Sequence, residues 1–194
     1  MFENEEEITE AEAEEPEVQG TNSSNVQVEF RNLRGIYSSI KKINAATAAG
    51  YKPDIYIFAE TWIEHANQPS IKEYEPIAYV RARRRKRHGR ASGGISVYKH
   101  KRCFVPVRQF QLKCGANKCE HEQCKAEKNV SDMITLEIGG DEEQAGKAVL
   151  MAYYCPPNQA DDRITRYFAS MGTCLRWLEE QGHSTVLVLS LITI

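Results

Sequence analysis

The sequence of 194 residues lacks a hydrophobic run long enough to cross a membrane as a helix. Its longest largely apolar stretch, Val186–Ile194, has nine residues, whereas a membrane-spanning helix needs about 20. The N-terminal residues also lack the basic and apolar regions of a secretory signal peptide. We therefore expect an intracellular protein, nuclear or cytoplasmic, with no membrane partner.

Basic residues are absent from the first 20 positions, which contain nine glutamates. A segment of like charges with few apolar residues stays solvated, so residues 1–24 are predicted to be a disordered acidic tail. The rest of the chain holds all 25 basic residues and 18 of the 27 acidic ones, which gives it a net charge of +7. Residues 25–194 are predicted to form one mildly basic domain, which is compatible with a polyanionic partner.

The chain has six cysteines and no secretion signal, which favours reduced thiols over disulfides. Cys114, Cys119 and Cys124, with His121 between them, offer a possible zinc site. They lack the closely spaced ligand pairs of most structural zinc sites, so free thiols on a surface loop are the preferred interpretation. Three further cysteines are predicted to pack in the interior: Cys103, Cys155 and Cys174.

Two short apolar segments near the beginning of the domain predict neighbouring strands. Val26–Phe30 alternates apolar and polar residues, and Ile55–Phe58 is a continuous apolar run typical of a strand buried on both faces. Isoleucines at helical spacing lie between them, and Gly50 is a natural helix end. The segment therefore predicts a βαβ unit with two parallel strands.

The remainder of the chain predicts further strands and one amphipathic helix. Ile95–Tyr98, Met133–Ile138, Val149–Tyr154 and Val186–Leu189 are strand candidates, and the middle two are expected to pair as a hairpin. The helix precedes the last strand and ends near Gly182. Its predicted core-facing residues are Ile164, Tyr167, Phe168, Met171, Leu175 and Leu178.

Polar side chains at strand ends form the main candidate site. Asn32 follows the first strand, Glu60 follows the second, and Tyr154 lies near the end of a later one. Functional groups of α/β sheets gather at the carboxyl ends of strands. Mg²⁺ accepts one or two carboxylates and keeps waters for a phosphate substrate, so Glu60 is a candidate metal ligand. Ordinary helix or loop capping is the alternative interpretation.

Five short motifs in a fixed order make the functional interpretation more specific. They are Asn32–Gly35 (NLRG), Lys52–Ile55 (KPDI), Glu60–Trp62 (ETW), Ser92–Ile95 (SGGI) and Tyr154–Asn158 (YCPPN). In this order and at these separations, the set resembles the endonuclease/exonuclease/phosphatase superfamily. The nearest resemblance is to the endonuclease domains of non-LTR retrotransposons, which are similar to apurinic endonucleases.

This resemblance implies a four-layered α/β sandwich, in which two packed mixed β-sheets lie between outer helices. It also implies Mg²⁺-dependent hydrolysis of DNA phosphodiesters. Carried over by position, Glu60 would hold the metal, Asn32 would orient the metal site and the phosphate, and Tyr154 would contact the scissile phosphate.

The chain departs from the family pattern where a Gly-Asp-Phe-Asn motif is expected. Leu191 stands at the position of the Asp and Thr193 at that of the Asn, and the second half of the family domain is absent. We therefore expect an incomplete N-terminal portion of the sandwich, with one sheet exposing an apolar face. Since leucine can neither accept a proton nor bind metal, this chain is expected to be weakly active or inactive.

A dense basic run suggests a second class of function, a nucleic-acid-binding module without catalysis. Such a run contacts phosphates without reading bases, although a solvated loop or a nuclear-localisation signal has the same composition. Trp62 is interpreted as a wall of the sheet, with base stacking as the alternative. The candidate DNA-binding residues of the run are Arg81, Arg83, Arg84, Arg85, Lys86, Arg87 and Arg90.

Overall fold

The computed structural model of the chain describes most of the domain predicted from the sequence. The proposed acidic tail and the segment with Cys114, Cys119, Cys124 and His121 lie outside the described residues. Neither described helix combines the length and apolar character that a membrane span requires. The described ranges are 25–65, 67–84, 89, 91–110, 132–139, 148–155, 161–183 and 185–192.

The described residues form ten strands and two helices. Every element predicted from the sequence is present, although most bounds differ by one to three residues. The elements are β1 (Val28–Asn32), α1 (Ile36–Ala48), β2 (Ile55–Ala59), β3 (Tyr74–Val80), β4 (Arg83–Arg84), β5 (Ala91–Ser92), β6 (Ile95–His100), β7 (Val107–Gln109), β8 (Met133–Ile138), β9 (Ala148–Cys155), α2 (Asp161–Glu180) and β10 (Thr185–Ile192).

The first sheet contains the predicted βαβ unit. Its strand order is β1-β2-β6-β3, with β1 parallel to β2 and the other two pairs antiparallel. Every residue of β2 is buried, as its continuous apolar sequence predicts for a central strand. The register between β3 and β6 shifts between Pro76 and Ala78, where proline supplies no backbone donor to the ladder.

The second sheet repeats the pairing pattern of the first. Its order is β10-β9-β8-β7, with β8 and β9 forming the predicted antiparallel hairpin. The crossover through α2 makes β10 parallel to β9. Both sheets therefore have a parallel βαβ pair at one edge and antiparallel strands beyond it.

The two sheets pack face to face through a single apolar core. Aliphatic side chains from β2 and β6 lie against those from β8 and β9, and water is excluded between the sheets. Tyr154 is part of this core although its hydroxyl reaches the edge of the sandwich. The buried residues are Ile55, Ile57, Ala59, Ala78, Ile95, Val97, Ile134, Leu136, Ile138, Leu150, Ala152 and Tyr154.

Helices cover the outer faces of both sheets. Ile36 and Ile43 of α1 belong to an apolar cluster with aromatic residues of the first sheet. Cys174 and Leu178 of α2 pack against the second sheet, including Tyr153. The α/β/β/α layers confirm the predicted fold class. The expectation that one sheet would expose an apolar face is wrong for β8 and β9, because α2 packs against them and supplies the fourth layer.

The predicted packing of three cysteines is confirmed. Cys103, Cys155 and Cys174 are buried. Cys155 and Cys174 lie in the same apolar cluster between the second sheet and α2. Burial raises the pKa of the Cys103 thiol, which keeps it protonated and unreactive near neutral pH.

Candidate active site

The strand-end residues predicted from the sequence converge at one edge of the sandwich. Asn32 is the last residue of β1 and pairs with Ala59, so it lies beside the strand end that carries Glu60. Tyr154 comes from the other sheet, and its hydroxyl donates a hydrogen bond to Oε1 of Glu60. The edge therefore joins a carboxylate from one sheet to a phenol from the other, with a carboxamide alongside.

A local turn sets the orientation of Asn32. The Arg34 backbone N–H donates to Oδ1 of Asn32 at 3.2 Å, and Arg34 itself has a left-handed φ of 49°. Asparagine commonly stabilises such turns by bonding to the backbone two residues ahead. With Oδ1 committed to the turn, the Nδ2 group is the part of Asn32 suited to donate to an anion.

Glu60 occupies an unusual backbone conformation. Its φ is 52°, in the left-handed region that costs a non-glycine residue about 1–3 kcal/mol. The Gly35 N–H donates to the Glu60 carbonyl at 2.7 Å, and the Thr61 N–H donates to the Gly94 carbonyl at 3.3 Å. These bonds tie the loops after β1 and β2 to the start of β6, and so maintain the strained conformation.

Asp132 is a component of the site that the sequence interpretation missed. It is a buried carboxylate immediately before β8, and its backbone carbonyl accepts a bond from the Tyr154 N–H at 2.9 Å. A Cβ on Gly93 would lie 2.4 Å from Oδ2 of Asp132, so the glycine allows the carboxylate to approach. The available signal was one acidic residue directly preceding the apolar run of β8.

The environment keeps the Tyr154 hydroxyl protonated. Its pKa is raised well above the ordinary value of 10.0, chiefly by burial, then by the hydrogen bond to Glu60 and by the charges of Glu60 and Asp132. A phenol with a raised pKa remains a hydrogen-bond donor throughout the neutral and moderately alkaline range. Tyr154 can therefore donate to a carboxylate or to a phosphate oxygen.

The buried tyrosines predict a loss of stability at alkaline pH. Burial raises the pKa of Tyr154, Tyr98 and Tyr74 above 10.0. A pKa raised on folding contributes stability that is present below the unfolded pKa and is lost as pH rises through the folded value. We expect the free energy of unfolding to fall above about pH 10. The free energy of unfolding, measured with urea, should fall less steeply with rising pH in Tyr154→Phe than in the wild type. An identical pH dependence in the two proteins would contradict this assignment.

Glu60 offers Mg²⁺ one carboxylate at this edge of the sandwich. The described residues contain no group of three or more histidine, cysteine, aspartate or glutamate side chains placed to chelate a metal. Mg²⁺ needs only one or two protein carboxylates and fills its remaining positions with waters and substrate oxygens. Glu60, partly buried at the strand end, supplies one such carboxylate.

The position predicted to lack a catalytic carboxylate lies at the same edge. In the ladder between β9 and β10, Leu191 pairs with Tyr154. Leu191 therefore occupies the strand position that pairs with Tyr154. The family resemblance leads us to expect an aspartate at this position. Thr193 lies outside the described residues.

Only part of the basic run falls within the described structure. Arg81 and Arg83 are exposed, and the short ribbon of β4 and β5 connects the run to Gly93 and Gly94. Arg84 belongs to β4. The other candidate DNA-binding residues, Arg85, Lys86, Arg87 and Arg90, lie outside the described residues.

Trp62 does not form a wall of the sheet. Its side chain is 43% exposed, and its backbone φ of 57° is left-handed, as it is at Glu60. The two left-handed residues flank Thr61, which is fully buried. Glu60 contacts Tyr154 across the sandwich, whereas Trp62 lines a surface cavity together with Gly35 and Tyr37.

Comparisons with known proteins support the fold independently of the motifs. No protein-family model and no curated protein sequence matches the chain. The AP endonuclease LMAP of Leishmania major is similar in structure, with a TM-score of 0.56 and 16% identity over 80% of this chain and 49% of that one. The APE2 catalytic domain of Xenopus laevis has a TM-score of 0.55 and 16% identity, over 84% of this chain and 57% of that one.

A third similar structure contains nucleic acid. A variant of the 3′ phosphatase NExo from Neisseria, bound to a product DNA hairpin, has a TM-score of 0.51 and 11% identity, over 86% of this chain and 57% of that one. The chain thus spans about half the length of the structures it resembles. The chain has the same fold as these structures, in agreement with the fold class that the motifs predicted.

Proposed function

We propose that this chain carries the phosphate-binding and magnesium-binding part of a DNA phosphodiesterase site, with weak or no hydrolysis of its own. The contact between Tyr154 and Glu60 supports this most strongly, because it joins the strand ends of both sheets. A carboxylate and a protonated phenol at one edge are complementary to a cation and a phosphate. Capping alone does not explain a contact between side chains 94 positions apart in sequence.

Each residue has a defined role in this proposal. Glu60 would hold Mg²⁺, and bound Mg²⁺ supplies a Lewis acid that polarises a phosphoryl oxygen. The Tyr154 hydroxyl would donate to a non-bridging oxygen of the phosphate, and Nδ2 of Asn32 would donate to the same group. The left-handed backbone of Glu60 and its bonds to neighbouring loops would keep the carboxylate in position before substrate binds.

Weak catalysis follows from the residue that pairs with Tyr154 in the ladder. A positioned general base contributes a factor of about 10²–10⁴ to a rate. Leu191 cannot supply this function. The chain would therefore bind and polarise the phosphate but would not activate the attacking water.

The similar structures support nucleic acid as the substrate class at the level of the fold. They comprise an AP endonuclease, the APE2 catalytic domain and a 3′ phosphatase bound to a product DNA hairpin. Fold does not determine function, so DNA binding by this chain is inferred from its own site and basic run. The closer resemblance to retrotransposon endonuclease domains stays a prediction from the sequence motifs.

Glu60→Gln tests the metal role. This change keeps the size of the side chain but removes its charge, so Mg²⁺ binding measured by calorimetry should be lost. Any Mg²⁺-dependent nicking of plasmid DNA should disappear with it. Glu75→Gln is the matched control, because Glu75 is an exposed carboxylate within β3. Equal Mg²⁺ binding by folded wild type and Glu60→Gln would contradict the proposal.

The alternative function is a nucleic-acid-binding module without catalysis. The exposure of Arg81 and Arg83 favours it. A folded protein that binds DNA with strong salt dependence, but neither binds Mg²⁺ through Glu60 nor nicks plasmid, would establish this alternative.

Two arginines give a quantitative test of phosphate contact. Replacing both Arg81 and Arg83 by alanine should reduce the slope of log affinity against log salt by about 0.9 for each lost contact. Fluorescence anisotropy with a labelled duplex at several salt concentrations measures that slope. Arg176→Ala, an exposed arginine on α2, should leave it unchanged. An unchanged slope in the double variant would exclude these two residues from the interface.

A further inference from the structure

We infer that a cavity between Tyr37 and Trp62 binds one unpaired nucleobase of the nucleic acid held at the Glu60 site. This inference rests on the proposed function for the class of ligand. The cavity has a volume of about 490 Å³, within the range of about 300–1,000 Å³ typical of small-ligand sites. It lies at the surface where the loops after β1 and β2 meet.

Two exposed aromatic side chains line this cavity. Tyr37 is 65% exposed and Trp62 is 43% exposed, although large aromatic residues usually bury most of their surface. Trp62 rests against Gly35, since a Cβ at Gly35 would lie 2.9 Å from the indole Cε3 atom. One side of the indole is therefore seated on backbone, and the ring is positioned to stack a planar ligand.

The location of the cavity identifies its ligand chemistry. Trp62 follows Glu60 by two residues, so their Cα atoms are at most about 7.6 Å apart. Gly89, within the basic run, and Ala91 also line the cavity. Aromatic faces next to a positively charged path characterise single-strand nucleic-acid sites.

The polar part of the lining includes hydrogen-bond acceptors. The Ser38 hydroxyl donates to the Gly35 carbonyl at 2.9 Å, which leaves its lone pairs to accept. Acceptors suit the N–H groups on the Watson–Crick edge of a base, which are occupied in a duplex. Both the edge and the face of the base are accessible only when it is unpaired and unstacked.

Fluorescence of Trp62 provides a direct test. The chain contains two tryptophans, so Trp177→Phe leaves Trp62 as the sole tryptophan. Titration without metal should show quenching by a single-stranded oligonucleotide and little by a blunt duplex of the same sequence. An oligonucleotide with abasic sugars at every position should not quench. Equal quenching by the abasic strand, or no oligonucleotide binding, would overturn the inference.

Affinity measurements separate stacking from folding effects. Trp62→Ala should weaken single-strand binding about 5- to 150-fold, the range for loss of one stacked base. Trp62→Phe should retain most of the affinity, and duplex binding should be unchanged. Phe104→Ala is the control, because Phe104 is 95% exposed and outside the cavity lining. Unchanged single-strand affinity in Trp62→Ala would overturn the inference.

The outcomes of the two proposals are distinguishable. Quenching without Mg²⁺ binding at Glu60 would preserve the base-binding cavity and reject the phosphodiesterase site. The opposite conclusion would follow if Glu60→Gln abolished Mg²⁺-dependent nicking, Trp62→Ala left it intact and oligonucleotides did not quench Trp62. The phosphodiesterase site would then be retained and the base-binding cavity rejected.

Discussion

Replacing Gly94 by alanine is expected to lower the free energy of unfolding by about 2–5 kcal/mol. Gly94 has a φ of 87°, a conformation that costs an L-residue about 1–2 kcal/mol. A Cβ there would lie 3.0 Å from the Ala82 backbone nitrogen and 3.2 Å from the Val80 carbonyl oxygen. Backbone atoms cannot rotate away as a side chain can, so overpacking adds about 1–3 kcal/mol.

A second glycine separates the two contributions. Gly50 has a similar φ of 93°, but a Cβ there would meet no atom within 4 Å. Gly50→Ala should therefore show only the conformational cost, and the difference between the variants measures crowding at Gly94. Urea unfolding followed by circular dichroism gives both values. Equal destabilisation by the two substitutions would show that the neighbours of Gly94 can relax.

The crowding around Gly94 links stability to the candidate site. Its carbonyl accepts the Thr61 N–H, and the Gly93 carbonyl accepts the Trp62 N–H at 3.2 Å. A Cβ at Gly94 would also lie 2.9 Å from the Thr61 hydroxyl. The close approach of Gly94 to Thr61 thus requires glycine and also holds the loop from Glu60 to Trp62 in place. A displacement of Thr61 would move the side chains of both Glu60 and Trp62.

Local patterns in the sequence were sufficient to predict most of the architecture. The continuous apolar run of β2 and the helical spacing in α1 identified the parallel βαβ pair, because each pattern reflects burial of one element. β3 was not predicted. Its sequence contains Glu75 and Pro76, which interrupt a regular alternation, and the register shift beside Pro76 shows how the strand accommodates them.

Helix α2 shows the limit of periodicity as a guide to packing. Its predicted core-facing residues included Phe168, which is 43% exposed, whereas Cys174, which was predicted separately to pack in the interior, is fully buried. Leu178 was correctly placed in the core. Spacing defines a stripe on a helix, but the position of the sheet decides which edge of that stripe is covered.

The sequence likewise predicted some features of the candidate site and missed others. Asn32, Glu60 and Tyr154 lie at strand ends, and strand ends can be located from local sequence. Asp132 contacts the site through a long-range approach to Gly93, and the exposure of Trp62 depends on a left-handed backbone. Neither the approach of Asp132 to Gly93 nor the left-handed backbone at Trp62 can be predicted from the local sequence, because tertiary contacts determine both.

Leu191→Asp is expected to increase Mg²⁺-dependent nicking by about 10²-fold, the lower end of the range for a positioned base. Leu191 pairs with Tyr154 in the ladder, so the new carboxylate would join the edge that carries Glu60. A second carboxylate also completes the ligand set that Mg²⁺ commonly uses in proteins. The expected gain stays at the lower end because Thr193 still stands where the family pattern has asparagine, and such groups act as a unit.

Thermal unfolding gives a readout of this gain that does not depend on hydrolysis. A ligand that binds only the folded protein raises its melting temperature, so Mg²⁺ should stabilise Leu191→Asp more than wild type. Leu191→Asn has nearly the same shape as the aspartate variant and no charge, so it separates metal binding from disruption of β10. Leu189→Asp places a carboxylate opposite Ala152 instead of Tyr154 and should give no gain. If folded Leu191→Asp neither gains stability from Mg²⁺ nor exceeds these controls in nicking, position 191 is not where the absent carboxylate belongs.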